Sequence, residues 1–174
     1  YILENEFGIT LPRWGQIELS QAVQTFSEIN QREVSAQDIK TIFENHFLHS
    51  SKPYSLGNYQ ITADTQTSHG TQENFQANLI TDHESISISA PGNGTLAAFC
   101  NALSQQFGVD MDIIQYDQIT QGCHTDAQAM AFVQVKIDEQ KYIASARQQD
   151  SLGASLSAIL STLNQHFFYQ KKAA

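Results

Sequence analysis

Residues 85–103, SISISAPGNGTLAAFCNAL, change periodicity within a few positions. Ile86 and Ile88 alternate with serines, the period-two pattern of a strand with one face on a core. Pro91-Gly92-Asn93-Gly94 then punctuates the chain, and Leu96, Ala97, Phe99, Cys100 and Leu103 recur at helical steps. The passage returns at residues 141–159, KYIASARQQDSLGASLSAI, so position 85 becomes 141, an offset of 56. The offset carries Thr95-Leu96 onto Ser151-Leu152, Ala98 onto Ala154, Ala102 onto Ala158 and Leu103 onto Ile159. Upstream it carries Phe75, Ala77, Leu79 and Thr81 onto Ala131, Val133, Val135 and Ile137. The inward phase of each strand survives the shift, whereas a one-residue slip would invert it. The opening strand of each copy, with Val109, Met111 and Ile113 in the second, departs from the offset, so a loop there differs in length.

The reading is an α+β fold of two βββα repeats, one over residues 54–108 and one over 109–168, within a domain of residues 54–174. One unit has a single apolar sheet face and one helix, too little to stand alone. Two units packed as a pseudo-symmetric pair bury both faces.

Residues 1–50 carry a different pattern and predict a small all-helical subdomain. Trp14, Ile17, Ala22, Val23, Phe26 and Ile29 fall on one helix face, with Pro12 suited to a first turn. A second helix starts at Ser35 as N-cap, with Asp38 in the capping-box position and Val34 and Ile39 spaced as a hydrophobic staple. Ile39, Ile42, Phe43 and Phe47 form its buried stripe. Leu48–Ser55, with Ser50, Ser51 and Pro53, reads as a linker.

The 174 residues include 18 acidic against 9 basic, a formal charge of −9. That argues against binding phosphate backbones, which requires Lys/Arg patches, and equally against docking on anionic lipid. Amides supply much of the polar surface, including 21 glutamines. No apolar run reaches the length of a membrane span. Two cysteines, Cys100 and Cys123, make no disulfide framework, and a reducing cytoplasm is the expected home. The chain opens on Tyr1 and runs straight into structured sequence, which reads as a piece of something longer.

Few residue clusters carry chemistry. Gly92-Asn93-Gly94 leads into a helix whose free N–H groups favour an anion, although the same turn also serves as a plain connection. It is neither GxGxxG nor GxxxxGK[ST], so a nucleotide is disfavoured. The matching turn is Gln148-Gln149-Asp150-Ser151, where Asp150 can cap its own helix. The first copy has no acidic residue in its turn, so one helix start reads as self-satisfied and the other as open to a small carboxylate. Gly122-Cys123-His124-Thr125-Asp126 holds the residue types of nucleophilic catalysis, but adjacent strand residues face opposite ways. His46 and His49 lack a third metal ligand nearby, and His69 and His83 have no ligand spacing. Tyr116 is either a core aromatic or the hydrogen-bonding wall of a pocket. With no catalyst assembled, the pattern suits a small-molecule binding module.

LPRWGQIELSQAVQ (11–24), GNGTLAAF (92–99) and YDQITQGCHTDAQA (116–129) resemble the C-terminal part of the 2-isopropylmalate synthase family. The GNGxLAAF and DAQA motifs are shared, less closely, with citramalate synthases. The resemblance covers nearly the whole chain. It implies the last helical linker subdomain followed by a regulatory domain of two βββα units, without the N-terminal (β/α)8 barrel. The family condenses acetyl-CoA with 3-methyl-2-oxobutanoate, using a divalent metal in the barrel, and leucine inhibits by binding the regulatory domain at a dimer interface. No catalytic residue, cofactor or metal is therefore expected in this chain. Its expected partners are leucine, a second copy and the missing catalytic domain.

Carried over motif by motif, the resemblance implicates Asn93, Gly94, Leu96 and Ala97, then Ile113, Tyr116 and Thr120, then Ala127 and Ala129. The ammonium group needs acceptors, such as backbone carbonyls or Asp126. Thr120 and Cys123 stand where some relatives have small apolar residues. The competing readings are an isoleucine-sensing domain of a citramalate synthase, a dimerisation domain without an active effector site, and a hydrolase using Cys123 and His124.

Overall fold

The computed structural model describes residues 1–49, 51–64, 72–121 and 127–174. Three helices come first: α1 (Ile2–Phe7), α2 (Arg13–Asn30) and α3 (Ala36–Phe47). Two units come after them, β1 (Ser55–Asp64), β2 (Gln72–Ile80), β3 (Ser85–Gly92) and α4 (Thr95–Phe107), then β4 (Met111–Gln121), β5 (Gln128–Ile137), β6 (Gln140–Gln148) and α5 (Ser151–Ala173). Each unit forms its own antiparallel sheet, in the order β1-β2-β3 and β4-β5-β6. Two βββα units after an all-helical segment are thus the observed architecture.

The alternating residues occupy the places their period implies. Phe75, Ala77, Leu79 and Ile88 of the first sheet share one core with Ala131, Val133, Val135 and Ala144 of the second. The two helices lie in that core, α4 on β2 and β3, α5 on β5 and β6. Each helix also touches the first strand of the other unit, α4 on β4 and α5 on β1.

The first strands depart from the offset because the connection to the second strand differs by one residue, as expected: Ala77 follows Tyr59 by 18 residues and Val133 follows Tyr116 by 17. Both first strands also carry a bulge, after Leu56 in β1 and after Ile113 in β4. Ala77 pairs with Tyr59, and its counterpart Val133 pairs with Tyr116. Tyr59 and Tyr116 are therefore equivalent, as are Leu56 and Ile113, at an offset of 57 rather than 56. A bulge inserts one residue and reverses the facing of the strand beyond it. In β4 the inward positions pass from Ile113 to Tyr116, Gln118 and Thr120.

The outer faces of the two sheets differ. In the first, Asn74, Gln76, Asn78, Ser85, Ser87 and Ser89 are exposed. In the second, Met130 and Phe132 are buried against Leu3, Ile9, Leu11, Leu19, Phe43 and Phe47 of the N-terminal segment. Phe47 meets Phe132 edge-on at 6.1 Å and stacks on Phe43 at 5.2 Å. Polar bonds fix the same contact: the Trp14 indole donates to Asp117 at 2.7 Å, and Gln121 exchanges two hydrogen bonds with the backbone of Thr10.

The stripe expected on α2 is only partly buried. Gly15 and Leu19 are buried, whereas Ile17 is 50% and Ile29 75% exposed. Helical spacing places residues on a face but does not say how much of it a neighbour covers. The start of α3 is as expected. Ser35 accepts from the Asp38 N–H, and Asp38 accepts from the Ser35 N–H in return. Arg32, first, and Ser35 hold the Asp38 carboxyl well below the usual carboxylate range. Ser35→Ala removes one half of this box. It should cost about 1 kcal/mol and lower the melting temperature by roughly 2–4 °C. A calorimetric scan checks this.

The segment after α3 is tied to the middle of α5 and to β6. Asn164 accepts from the Tyr54 N–H and donates to the Tyr54 carbonyl, and the His49 ring lies 3.1 Å from the Ile143 carbonyl.

Candidate functional site

Strand β3 delivers the chain to the start of α4 through Gly92-Asn93-Gly94. Gly92 is buried against the helix backbone, where a Cβ would lie 2.4 Å from the Ala98 nitrogen. Gly94 sits at φ 104°, ψ 164°, a region essentially confined to glycine. Nothing stands within 4 Å of where its Cβ would be. Among the described residues no side chain caps α4. Leu96 and Ala97, in its first turn, are half-buried and Asn93 is exposed. The expectation that no acidic side chain stands here needs correction: Glu73, reaching over from β2, accepts a hydrogen bond from the Thr95 hydroxyl. The acid is 22 residues upstream and is brought in by the sheet, so the local turn could not reveal it. It engages the hydroxyl and leaves the helix N–H groups alone.

The start of α5 is filled from within. Asp150 accepts from the N–H of Gly153 at 2.8 Å and of Leu152 at 3.3 Å, as its sequence position implies. It also accepts from the Tyr59 hydroxyl at 2.9 Å. The Gly153 N–H, followed by Tyr59, lowers its pKa. Tyr59 lies stacked on Phe75, 6.0 Å between ring centres. The first strand of one unit thus meets the helix start of the other over a carboxylate.

On the second unit, Ile113, Tyr116 and Thr120 share the inner face of β4, and Thr120 is the direct cross-strand partner of Ala129. Ala127 and Ala129 are half-buried. Tyr116 is a hydrogen-bonding residue rather than a core aromatic: it is 38% exposed, and its hydroxyl lies 2.8 Å from Ser155 Oγ. The structure therefore collects the implicated residues into two groups. One is the turn with Asn93, Gly94, Leu96 and Ala97, and the other is Ile113, Tyr116, Thr120, Ala127 and Ala129. Among the described residues no hydrogen bond or ring contact joins the groups. Asp126 lies outside the described residues, as do Cys123, His124 and His69.

Sequence reasoning missed Tyr59, Gln118 and Ser155. Only Ser155 left a signal, a serine matching the core residue Phe99 under the offset of 56.

The remaining candidates carry little chemistry. Among the described residues no three His, Cys, Asp or Glu side chains converge as a metal requires. Burial pushes the Cys100 thiol up to about 12, so the thiolate nucleophile is scarce. Burial likewise lowers the pKa of His49, whose ring also lies 3.0 Å from the His46 carbonyl. A cavity of about 220 Å³ lies by His49, Lys52 and Tyr169, away from both groups. No helix among the described residues is long and apolar enough to cross a membrane.

Comparison with known proteins adds an independent line. The family described as the LeuA allosteric (dimerisation) domain matches residues 33–167. A 2-isopropylmalate synthase of Kocuria rhizophila is 32% identical, over 95% of this chain and 29% of its own length. One from Alcanivorax borkumensis is 29% identical, again over 95% of this chain and 29% of its length. One from Pseudomonas fluorescens is 28% identical over 100% of this chain and 30% of its length. The chain spans about 30% of the length of the curated relatives it matches.

Proposed function

The chain belongs to the LeuA allosteric (dimerisation) domain family, and from that premise we propose that it is the regulatory region of a 2-isopropylmalate synthase. On this reading it binds leucine and passes feedback inhibition to a catalytic barrel. That barrel condenses acetyl-CoA with 3-methyl-2-oxobutanoate on a divalent metal, and this chain alone performs no chemistry. It works as a homodimer in the cytoplasm, the dimer bringing the two residue groups to a common effector.

The observation that carries the reading is the unequal treatment of two equivalent helix starts. At α5 the N–H groups and a tyrosine hydroxyl hold the carboxylate of Asp150. At α4 no side chain among the described residues caps the N–H groups, and the equivalent tyrosine, Tyr116, stands on the strand that α4 touches. Asp150 is thus an internal picture of how a free carboxylate is received at a helix start. The sheet beside Tyr116 carries Ala129 and Ala131 where the first unit has Glu73 and Phe75, which leaves volume for a branched side chain.

Leucine should stabilise the 174-residue chain with neither metal nor acetyl-CoA present. At about 100-fold excess over its dissociation constant the gain is ~2.7 kcal/mol. For a chain of this size the melting temperature rises by roughly 5–10 °C. A shift with isoleucine alone would place the chain with the citramalate synthases. No shift with either would leave a dimerisation domain and overturn the effector reading.

A further inference from the structure

Ser155 is 1% exposed, a polar side chain at a core position of α5. Its hydroxyl has one proton and two neighbours that can accept it, the Ser151 carbonyl at 3.0 Å and the Tyr116 oxygen at 2.8 Å. The Gln118 Nε2 donates to the Ser151 carbonyl at 2.6 Å and approaches Ser155 Oγ at 3.2 Å. Only the amino end of an amide can face a carbonyl, so the partner fixes the orientation of Gln118. With that proton on the Ser151 carbonyl, the i−4 partner a helical serine takes, Ser155 meets Tyr116 as an acceptor. The Tyr116 proton therefore points at Ser155, and the free lone pairs of the phenolic oxygen face away from it, on the half-exposed side of the ring.

The geometry points to Tyr116 as a fixed hydrogen-bond acceptor in the effector site, held so by Ser155 as a positioning residue, with the α-ammonium group of an amino acid as the donor it meets. This rests on the reading above, in which the start of α4 takes the carboxylate. The α-ammonium is bonded to the same carbon and needs an acceptor close by. Tyr59 shows the opposite arrangement, since it has no such serine and gives its proton to Asp150. The consequence is specificity. The 2-oxo acid with the leucine skeleton presents the same carboxylate and the same branched chain, but a carbonyl in place of the ammonium. That carbonyl would face lone pairs rather than a proton. Sites that hydrogen-bond a ligand group discriminate strongly against analogues lacking it.

The test is calorimetric titration of the 174-residue chain with leucine and with 4-methyl-2-oxopentanoate. The wild type should bind leucine at least tenfold more tightly than the oxo acid. Ser155→Ala frees the tyrosine proton to turn toward the ligand, and should cut that ratio at least tenfold while the oxo acid gains affinity. Ser155→Thr keeps the hydroxyl and should keep the ratio. Tyr116→Phe should lower the ratio too, and the double variant with Ser155→Ala no further. A serine of purely structural value would move both ligands together and leave the ratio alone. A folded Ser155→Ala with the wild-type ratio overturns the inference while leucine binding stands. If Ser155→Ala does not fold, an unchanged ratio in Tyr116→Phe overturns it instead. A wild type that binds neither leucine nor isoleucine overturns the effector reading, and this inference with it.

Discussion

Gly92→Ala should destabilise the protein by roughly 3–5 kcal/mol, the range of the severest single substitutions. For a chain of this length that lowers the melting temperature by roughly 6–20 °C. The cause is a contact with backbone rather than with a movable side chain. An added Cβ would stand 2.4 Å from the Ala98 nitrogen and 2.6 Å from its Cα. Relief requires α4 to lift away from β3, and α4 carries Phe99 and Leu103, both fully buried, into the shared core. Lifting it opens the contact with the first sheet and with α5 together. Thermal unfolding monitored by far-UV circular dichroism measures the loss. A drop of under 3 °C would show that the helix start can shift cheaply and is looser than its packing implies.

Gly94→Asp should abolish the leucine response while the protein still folds. The roughly 5–10 °C rise expected with leucine should vanish. Here the space is open, with nothing within 4 Å of a Cβ, so the obstacle to a side chain is φ alone. That strain costs of order 1–3 kcal/mol. A carboxylate at position 94 partly offsets it by capping α4, as Asp150 caps α5. The same carboxylate then occupies the N–H groups proposed to receive the effector and repels a second anion. Gly94→Ala brings the strain without the charge and is the control. Equal leucine binding by the two variants would remove the carboxylate from this helix end. Asp150→Ala is the complement: it should lose ~0.5–2 kcal/mol of stability and keep its leucine response.

The sequence revealed the fold where a local period decides the structure. Period two oriented β2, β3, β5 and β6, because the side chains that alternate in the sequence also alternate between core and water. The capping box at Ser35 and Asp38 and the cap at Asp150 were legible because their partners lie within three residues. Facing was illegible beyond Ile113, since the bulge that turns Tyr116 inward leaves no mark on composition. The exposure of Ile17 and Ile29 depends on what lies opposite α2, which no helix carries in its own pattern. At the candidate site the turn Gly92–Gly94 and the alanines were visible as small residues in a motif. Glu73 beside Thr95 and Ser155 beneath Tyr116 were not, because sheet and helix bring them together from 22 and 39 residues away.

The outer faces of the two sheets have a consequence for the order of synthesis. The helices that cover the second sheet are made first, and their stripe of Phe43 and Phe47 leaves the ribosome long before its partner. Phe132 is 85 positions after Phe47. At about 5–20 residues per second the nascent chain carries that stripe uncovered for roughly 4–17 s. The first sheet emerges in that interval with Gln76, Asn78, Ser87 and Ser89 outward, and on that face it needs no cover. The growing chain thus exposes a greasy lid that waits for its box until the later strands are translated.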